Sequence, residues 1–363
     1  MKNDKRPNDY LLSGYYGCNN FGDDLTLECL MNHLSEKKGA VLTCNPAKTH
    51  VSSGIDIIHR FSMYEIHKLM RKTRVFLMGC GSIFQDTTSF RSFIYYYVVM
   101  RMAFFNRCKT MLYANGIGPI TRKGNVRRMK YLLKRIDCIT VRDKDSYDFL
   151  KEIGGGNNVY LAADDSFSYK IPKIEPIAPP QSAEGKKICG LNLMISENAS
   201  SEYLSALSDA LSALAKKHNL YYYVLPFHYE QDYKMLKKLA DMMPNTAKFI
   251  EDANTPNQII SYIAAADFQI FERLHGQILS TILGIPYLAI NYDLKIAAFA
   301  RQAGIEEYLL NIENLDKEHL IYAFEKIMEH QEHFCNQLKN YSKVAKERVC
   351  LNRENLLKLI EER

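Results

Sequence analysis

Apolar and polar positions along the chain follow a repeating order: a short apolar run, a turn rich in glycine or charge, then a longer amphipathic stretch. The first run, DYLLSG at 9–14, passes through the turn GYYGCNNFGDD at 14–24 into the helical pattern LTLECLMNHLSEKK. Such a run followed by apolar residues at the 3.6-residue period predicts strand, turn and helix. The order returns at 74–78, where RVFLM gives way to GCGSIFQD at 79–86 and a helix over 90–107. KTMLYA follows, with NGIGP at 115–119 and the basic helix RKGNVRRMKYLLKR behind it. DCITVRD ends in Arg142-Asp143 ahead of the helix SYDFLKEIG, and NVYLAADDSF closes this half. Five strands, each followed by a turn or helix, predict a doubly wound α/β domain over 1–168, a parallel sheet covered on both faces.

Residues 169–186 break the pattern. Residues 170–186 hold four of the eleven prolines and no apolar periodicity, which marks a linker. The alternation then resumes over 187–315, with strands at CGLNLMI, YYYVLPF, KFIE, DFQIF and PYLAINY. Helices are expected between them at 200–217, 230–243, 256–266, 275–283 and 295–303. The tail, 316–363, reads as two amphipathic helices rich in Glu and Lys, packed outside the sheets. Two Rossmann-like domains joined by a linker give a glycosyltransferase-B-like architecture, whose ligand site is expected in the cleft at the carboxyl ends of both sheets.

Composition narrows the classes. With 47% hydrophobic and 24% charged residues in 363, the chain is globular. A formal charge of +6 is compatible with anionic substrates but falls short of a nucleic-acid-binding profile. The nine cysteines are scattered without a C-x-x-C pair or zinc spacing, and read as reduced, mostly buried thiols of a cytoplasmic protein. MKNDKRPNDY lacks the apolar core of a signal peptide, and the apolar stretch 93–105 is short and interrupted by Arg101. Two readings of the helix over 90–107 stand: a helix buried between layers, which is favoured, or a face for peripheral contact with a membrane surface.

The stretch FQIFERLHGQILSTILGIPYLAINYDLK carries the clearest chemistry. Arg273 and His275 follow one strand and Lys295 follows the next, at the edge where open α/β sheets bind ligands. A guanidinium, an imidazole and an ammonium at one edge suit a small, multiply anionic ligand. Alternatively, Arg273 and Lys295 are surface cations and His275 a hydrogen-bonded turn histidine. Arg142 occupies a matching strand end in the first half, where its plainer role is pairing with Asp143 or capping a neighbouring loop. The glycine turns match neither the dinucleotide fingerprint nor a P-loop.

Taken in order, GYYGCNNFGDD, GCGSIFQDTTSFRSFIYYY, YANGIGPI, ITVRDKDSYDFL, FERLHG and INYDLK resemble the polysaccharide pyruvyl transferases, over about residues 10–300. The resemblance is nearest to the type acting on cell-wall glycopolymers that anchor S-layer proteins. It implies a glycosyltransferase-B-like fold and transfer of a pyruvyl ketal from phosphoenolpyruvate onto two hydroxyls of a sugar, often lipid-linked. The cytoplasm, at the inner face of the membrane, is then the expected location. The family's functional arginine, histidine and lysine fall on Arg142, His275 and Lys295, with Arg273 as a further ligand contact. The acceptor sugar is assigned to Gly14, Asn19, Gly22 and Asp23 of the first turn and Gly81, Ser82, Gln85 and Asp86 of the second. Gly116 and Gly118 are also assigned to substrate, and Tyr15 or Tyr16 to stacking on a sugar ring. No cofactor, metal or nucleic acid is called for. The family commonly carries three glycines where Gly79-Cys80-Gly81 stand, G-D-E at Asp23-Asp24, and glutamine at Asn115. Those departures bear on the acceptor more than the donor. One rival reading is a glycosyltransferase of the same architecture, holding a nucleotide-sugar ribose on Glu272, Glu306 or Glu307. The other is a silent scaffold, against which the presence of Arg142, His275 and Lys295 argues.

Overall fold

The computed structural model describes residues 6–362 apart from His50, Ser52, Thr88, Glu175, Pro176 and Asn254. The first five residues of the N-terminus read for a signal, Thr88 of the second motif, and Glu175-Pro176 of the expected linker lie outside the described residues. The chain divides into two compact units, Met1–Tyr169 with Ala345–Arg363, and Lys170–Val344.

In the first unit, strands β1 (Asn8–Ser13), β2 (Gly39–Thr43), β3 (Asp56–His59), β4 (Thr73–Met78), β5 (Gly81–Phe84), β6 (Lys109–Ile117), β7 (Cys138–Val141) and β8 (Val159–Leu161) form one sheet. Its order is β3-β2-β1-β4-β6-β7-β8, with β5 pairing β6, and the pairings are parallel. The helices are α1 (Phe21–His33), α2 (Met63–Met70), α3 (Phe90–Phe105), α4 (Lys123–Leu133) and α5 (Lys144–Glu152). Successive strand residues point to opposite faces. Leu11, Phe76 and Met78 accordingly pack in one core with Ile66 of α2 and Phe93 of α3. Tyr10, Leu12, Val75 and Leu77 pack in the other core with Leu30 of α1. A parallel sheet has to be covered on both faces, and this one is.

Three strands exceed the five expected. β2, GAVLT, is buried along its whole length and shows no alternation, so periodicity cannot separate it from the end of the preceding helical run. β3 and β5 have four residues each and lean on register rather than composition.

In the second unit, β9 (Lys187–Asn192), β10 (Leu220–Val224), β11 (Ala247–Phe249), β12 (Phe268–Phe271), β13 (Tyr287–Asn291) and β14 (Leu310–Asn311) form a parallel sheet in the order β11-β10-β9-β12-β13-β14. Between them run α6 (Ser201–His218), α7 (Tyr229–Asp241), α8 (Pro256–Ala264), α9 (Leu274–Leu283) and α10 (Leu294–Ala303). The tail is α11 (Lys317–Glu329) and the long α12 (Gln331–Glu361). Phe334 near the start of α12 packs edge-on against Tyr287 and Tyr308 of the second unit. Leu356, Leu359 and Ile360 near its end are buried in the first unit's core, where Asn352 Nδ2 donates to the Ala163 carbonyl at 2.9 Å.

Two expectations change. Cys18 and Cys44 form a disulfide, so the thiols are not all reduced; the other described cysteines are free, and five of them are buried. The two halves of the bridge follow β1 and β2, parallel neighbours whose ends adjoin, which a sequence separation of 26 conceals. Helix α3 is not buried on every side: Phe93, Tyr96, Val99, Met100 and Ala103 are buried, while Phe90, Val98 and Phe105 are exposed. Among the described residues, no helix is long and apolar enough to cross a membrane.

Candidate active site

In each sheet the connections leave in opposite directions from one adjacent strand pair. Open α/β sheets bind ligands outside the carboxyl ends of such a pair. In the first unit the pair is β1 and β4, followed by Gly14 and Gly79. Tyr16 lies fully buried across this point: a Cβ on Gly14 would stand 2.4 Å from its ring, and one on Gly79 would stand 1.9 Å from its hydroxyl. A side chain at either position would force the buried Tyr16 ring to shift. Of the two tyrosines assigned to stacking, only Tyr15 reaches solvent.

The turn then adopts left-handed backbone at Gly17 and Asn19 before Asn20 caps α1, its side chain accepting from the Gly22 N–H at 3.1 Å. Asp23 stands in the first turn of α1. Its Oδ1 lies 3.3 Å from where a Cβ on Gly81 would be, and Gly81 has φ +112°. These two predicted residues meet.

Arg142 follows β7 and is buried. Its Nη1 donates to Asp164 Oδ2 at 2.9 Å and its Nη2 to Ser82 Oγ at 3.0 Å, with Asp143 Oδ2 3.8 Å from Nε. Burial opposes the charge, but Asp164 and Asp143 outweigh it and hold the guanidinium's pKa above its ordinary value. The guanidinium lies over Gly116, where a Cβ would come within 3.0 Å of Nη2 and 3.1 Å of Nε. The structure thus brings Ser82, Gly116 and Arg142 together. Asn115 steadies the turn beside them by donating to the carbonyls of Gly79 and Gly81.

Gln85, Asp86 and Gly118 serve the neighbouring chain. Gln85 Oε1 accepts from the Thr87 N–H and hydroxyl, both at 3.0 Å. Asp86 accepts from the Thr121 N–H and hydroxyl, the Arg122 N–H and Asn125 Nδ2, at 2.8 to 3.1 Å. Burial pushes its carboxyl up, yet these four donors hold it below the usual carboxylate range. Gly118, at φ +92°, donates its N–H to the Phe84 carbonyl at 2.8 Å.

In the second unit the corresponding pair is β9 and β12. Glu272 follows β12, is fully buried, and accepts from the Met194 N–H at 2.6 Å. Burial pushes its carboxyl up to about 7, against the pull of that N–H and of Arg273. Arg273 stands at the N-cap of α9 and forks onto Asp232, with Nε and Nη2 at 3.0 and 2.5 Å. Asp232 is buried and also accepts from the Phe227 and His228 N–H groups at 3.0 and 2.8 Å. A cavity of about 530 Å³ is lined by 194–197, 230–232 and Arg273.

His275 is the second residue of α9 and Lys295 the second of α10. Because β12 and β13 pair in parallel, both helix starts open at one sheet edge. Helix starts present unpaired N–H groups and the positive end of the dipole, which favours anions. Lys295 Nζ lies 3.7 Å from Asp293 Oδ2 and 5.2 Å from the Tyr292 ring centroid. Gly276 permits the turn, since a Cβ there would stand 2.7 Å from the Phe271 ring. Glu272, which the rival reading offers as a ribose ligand, is buried and accepts from backbone.

Sequence reasoning missed Asp164 and Asp232, the carboxylates that hold Arg142 and Arg273. Asp164 was visible in AADDSF, but nothing local ties it to Arg142 twenty-two residues earlier. Asp232 opens α7 like any acidic first-turn residue. Among the described residues, no cluster of three or more His, Cys, Asp or Glu side chains could hold a metal ion.

The model of the family described as polysaccharide pyruvyl transferase matches residues 20–293. No curated protein matches the chain. Among solved structures, it is similar to S. aureus MnaA in complex with UDP, at 13% identity over 98% of both chains with a TM-score of 0.67. It is similar to UDP-GlcNAc 2-epimerase from Neisseria meningitidis bound to UDP-GlcNAc, at 12% identity over 96% of this chain and 99% of that one, TM-score 0.63. A UDP-glucosyltransferase from Polygonum tinctorium aligns at 10% identity over 99% and 100%, TM-score 0.60. At such identities the likeness establishes the fold, two Rossmann-like units of the glycosyltransferase-B type.

Proposed function

The chain belongs to the polysaccharide pyruvyl transferase family, and from that premise we propose that it transfers the pyruvyl group of phosphoenolpyruvate to a sugar of a cell-surface polysaccharide or its lipid-linked precursor. The observation that carries this reading is the pair of helix starts behind β12 and β13, which place His275 and Lys295 at one edge beside forked Arg273. A donor with a carboxylate and a phosphate needs cations that stay charged, and N–H groups that cannot be titrated.

In the proposed reaction a proton adds to the methylene carbon and one sugar hydroxyl attacks the central carbon. The C–O bond to phosphate breaks, and the second hydroxyl closes the ketal. Of the two hydroxyl protons, one balances that gained by the methyl group and one leaves with phosphate. Lys295 supplies a point charge to the donor, and Arg142 a fixed guanidinium whose place is set by Asp164, Asp143 and Ser82. His275 moves protons, being the member of the set able to give and take one near neutral pH. Asp23, the turn around Gly81 and the solvent-facing Tyr15 serve the acceptor. The exposed Phe90, Val98 and Phe105 of α3 suit work at the inner face of a membrane on a lipid-linked acceptor.

The test is incubation with phosphoenolpyruvate and cell-wall glycopolymer fragments, read by phosphate release and mass spectrometry. The expected result is a fragment heavier by one ketal-linked pyruvyl group, with turnover reduced about 10²–10⁴-fold in His275→Ala. Transfer of a sugar from a nucleotide-sugar donor, with no use of phosphoenolpyruvate, overturns the reading.

A further inference from the structure

Arg60, which follows β3, is 6% exposed, and its guanidinium is an unusual feature of the first unit. Among the described residues it meets no carboxylate. Its Nη1 donates to the Cys44 sulfur at 3.4 Å and the Tyr95 and Tyr96 hydroxyls lie beside the guanidinium, but Nε is buried without a partner. Four rings surround it instead, with centroids 4.5 Å (Tyr95), 5.2 Å (Tyr96), 5.4 Å (Phe61) and 5.9 Å (Tyr15) from Cζ. Ring faces attract a cation but do not take up its N–H groups, and a guanidinium removed from water calls for an acceptor.

A neighbouring hydroxyl has the same want. Tyr16 Oη is buried without a partner, and the buried Tyr96 and Ser13 hydroxyls beside it have Arg60 and Tyr95 as their neighbours. Ser13 ends β1, and Tyr16 lies across the β1/β4 switch point, so this group of donors stands at the ligand-binding edge of the sheet. The cage is open on one side: Phe61 is 61% exposed and Tyr15 is 38% exposed. Exposed aromatic faces over a buried cation form a platform for a sugar ring whose charged substituent reaches inward. A structural pillar would more economically pair Arg60 with an acid, as Arg142 and Arg273 are paired in this same chain.

We propose that Arg60 is an oxyanion-binding site of the acceptor. Tyr15 and Phe61 stack on a sugar ring, and the guanidinium, with Tyr96 Oη, receives that sugar's phosphate or carboxylate. The acceptor is therefore an anionic sugar or sugar phosphate. The assignment to the acceptor rests on the pyruvyl transfer reading; oxyanion binding by Arg60 does not.

Titration calorimetry at fixed ionic strength tests it, with glucose 1-phosphate, glucuronate, inorganic phosphate and uncharged glucose as probes against wild type, Arg60→Gln and Arg60→Lys. Wild type should bind the charged sugars more tightly than glucose. Arg60→Gln should weaken that binding roughly tenfold or more, since one charge-assisted hydrogen bond is lost. Arg60→Lys should fall between, because an ammonium keeps the charge but not the fork. The preferred probe separates a phosphate site from a carboxylate site. If Arg60→Gln fails to fold by circular dichroism, Arg60→Lys decides. Absence of charged-sugar binding by wild type, or equal binding by wild type and the folded variant, overturns the proposal. Phosphoenolpyruvate is titrated into the same samples. Its affinity should be unchanged in the Arg60 variants, and a loss confined to it would move Arg60 to the donor and overturn the acceptor assignment. Failure of wild type to bind phosphoenolpyruvate would count against the transfer reading alone.

Discussion

Glu272→Gln should stabilise the protein, and the more so the higher the pH. The buried Glu272 carboxyl titrates near 7, against an ordinary value of 4.5, because burial disfavours its charge more than the Met194 N–H and Arg273 favour it. For an acid whose folded pKa is raised, the unfolded chain ionises first. The cost to the folded state grows as pH rises through 4.5 and levels off above about 7. Linkage puts it at about 1 kcal/mol at pH 5 and about 3 kcal/mol at pH 8. Glutamine keeps an oxygen for the Met194 N–H and cannot ionise. Denaturant unfolding of wild type and variant at the two pH values should therefore show a stability gap that widens by roughly 2 kcal/mol toward pH 8. Parallel stability curves would refute the reasoning and place Glu272 in a more solvated or better paired setting.

Asp86→Ala leaves four donors around 121–125 without their acceptor and should cost about 2–4 kcal/mol in denaturant titrations at pH 7. Since the Asp86 carboxyl is held below the usual range, its contribution should persist from neutral pH down to its ordinary pKa of 3.8 and fade below that. A variant whose deficit is as large at pH 2.5 as at pH 7 would contradict this. Gly116→Ala puts a methyl within 3.0 Å of the Arg142 guanidinium, and should lower turnover at least tenfold while costing less than about 2 kcal/mol of stability. Asp164→Asn, which removes the charge but not the shape of the principal Arg142 partner, should reduce donor affinity without unfolding the chain. Unchanged affinity would show that Asp143 and Ser82 suffice to hold that guanidinium.

The fold was legible because a doubly wound sheet writes itself as repeated apolar runs ending in turns. In the second unit, each helix expected between strands is present to within a few residues. Strand β2 was not legible, because a short run buried on both faces has no period to read. Arg142, His275 and Lys295 stood out as charges at strand ends. Their surroundings did not, since the carboxylates that fix Arg142 and Arg273 lie far off in sequence. Asp86 stood out in its motif, but its partners Thr121, Arg122 and Asn125 are seen only when 86 and 121–125 come together in space. Arg60 carried no motif. What sets it apart is the lack of an acid beside it among the described residues, which a sequence does not display.

The central claim is that the anion-binding edges of this fold serve phosphoenolpyruvate. Calorimetric titration of that compound, beside a panel of nucleotide sugars, into wild type, Lys295→Ala and Arg142→Ala tests it most directly. The account predicts saturable binding of phosphoenolpyruvate by wild type, weakened in both variants, and no comparable binding of nucleotide sugars. Tight binding of a nucleotide sugar by wild type, with none of phosphoenolpyruvate, would contradict it and point to glycosyl transfer instead.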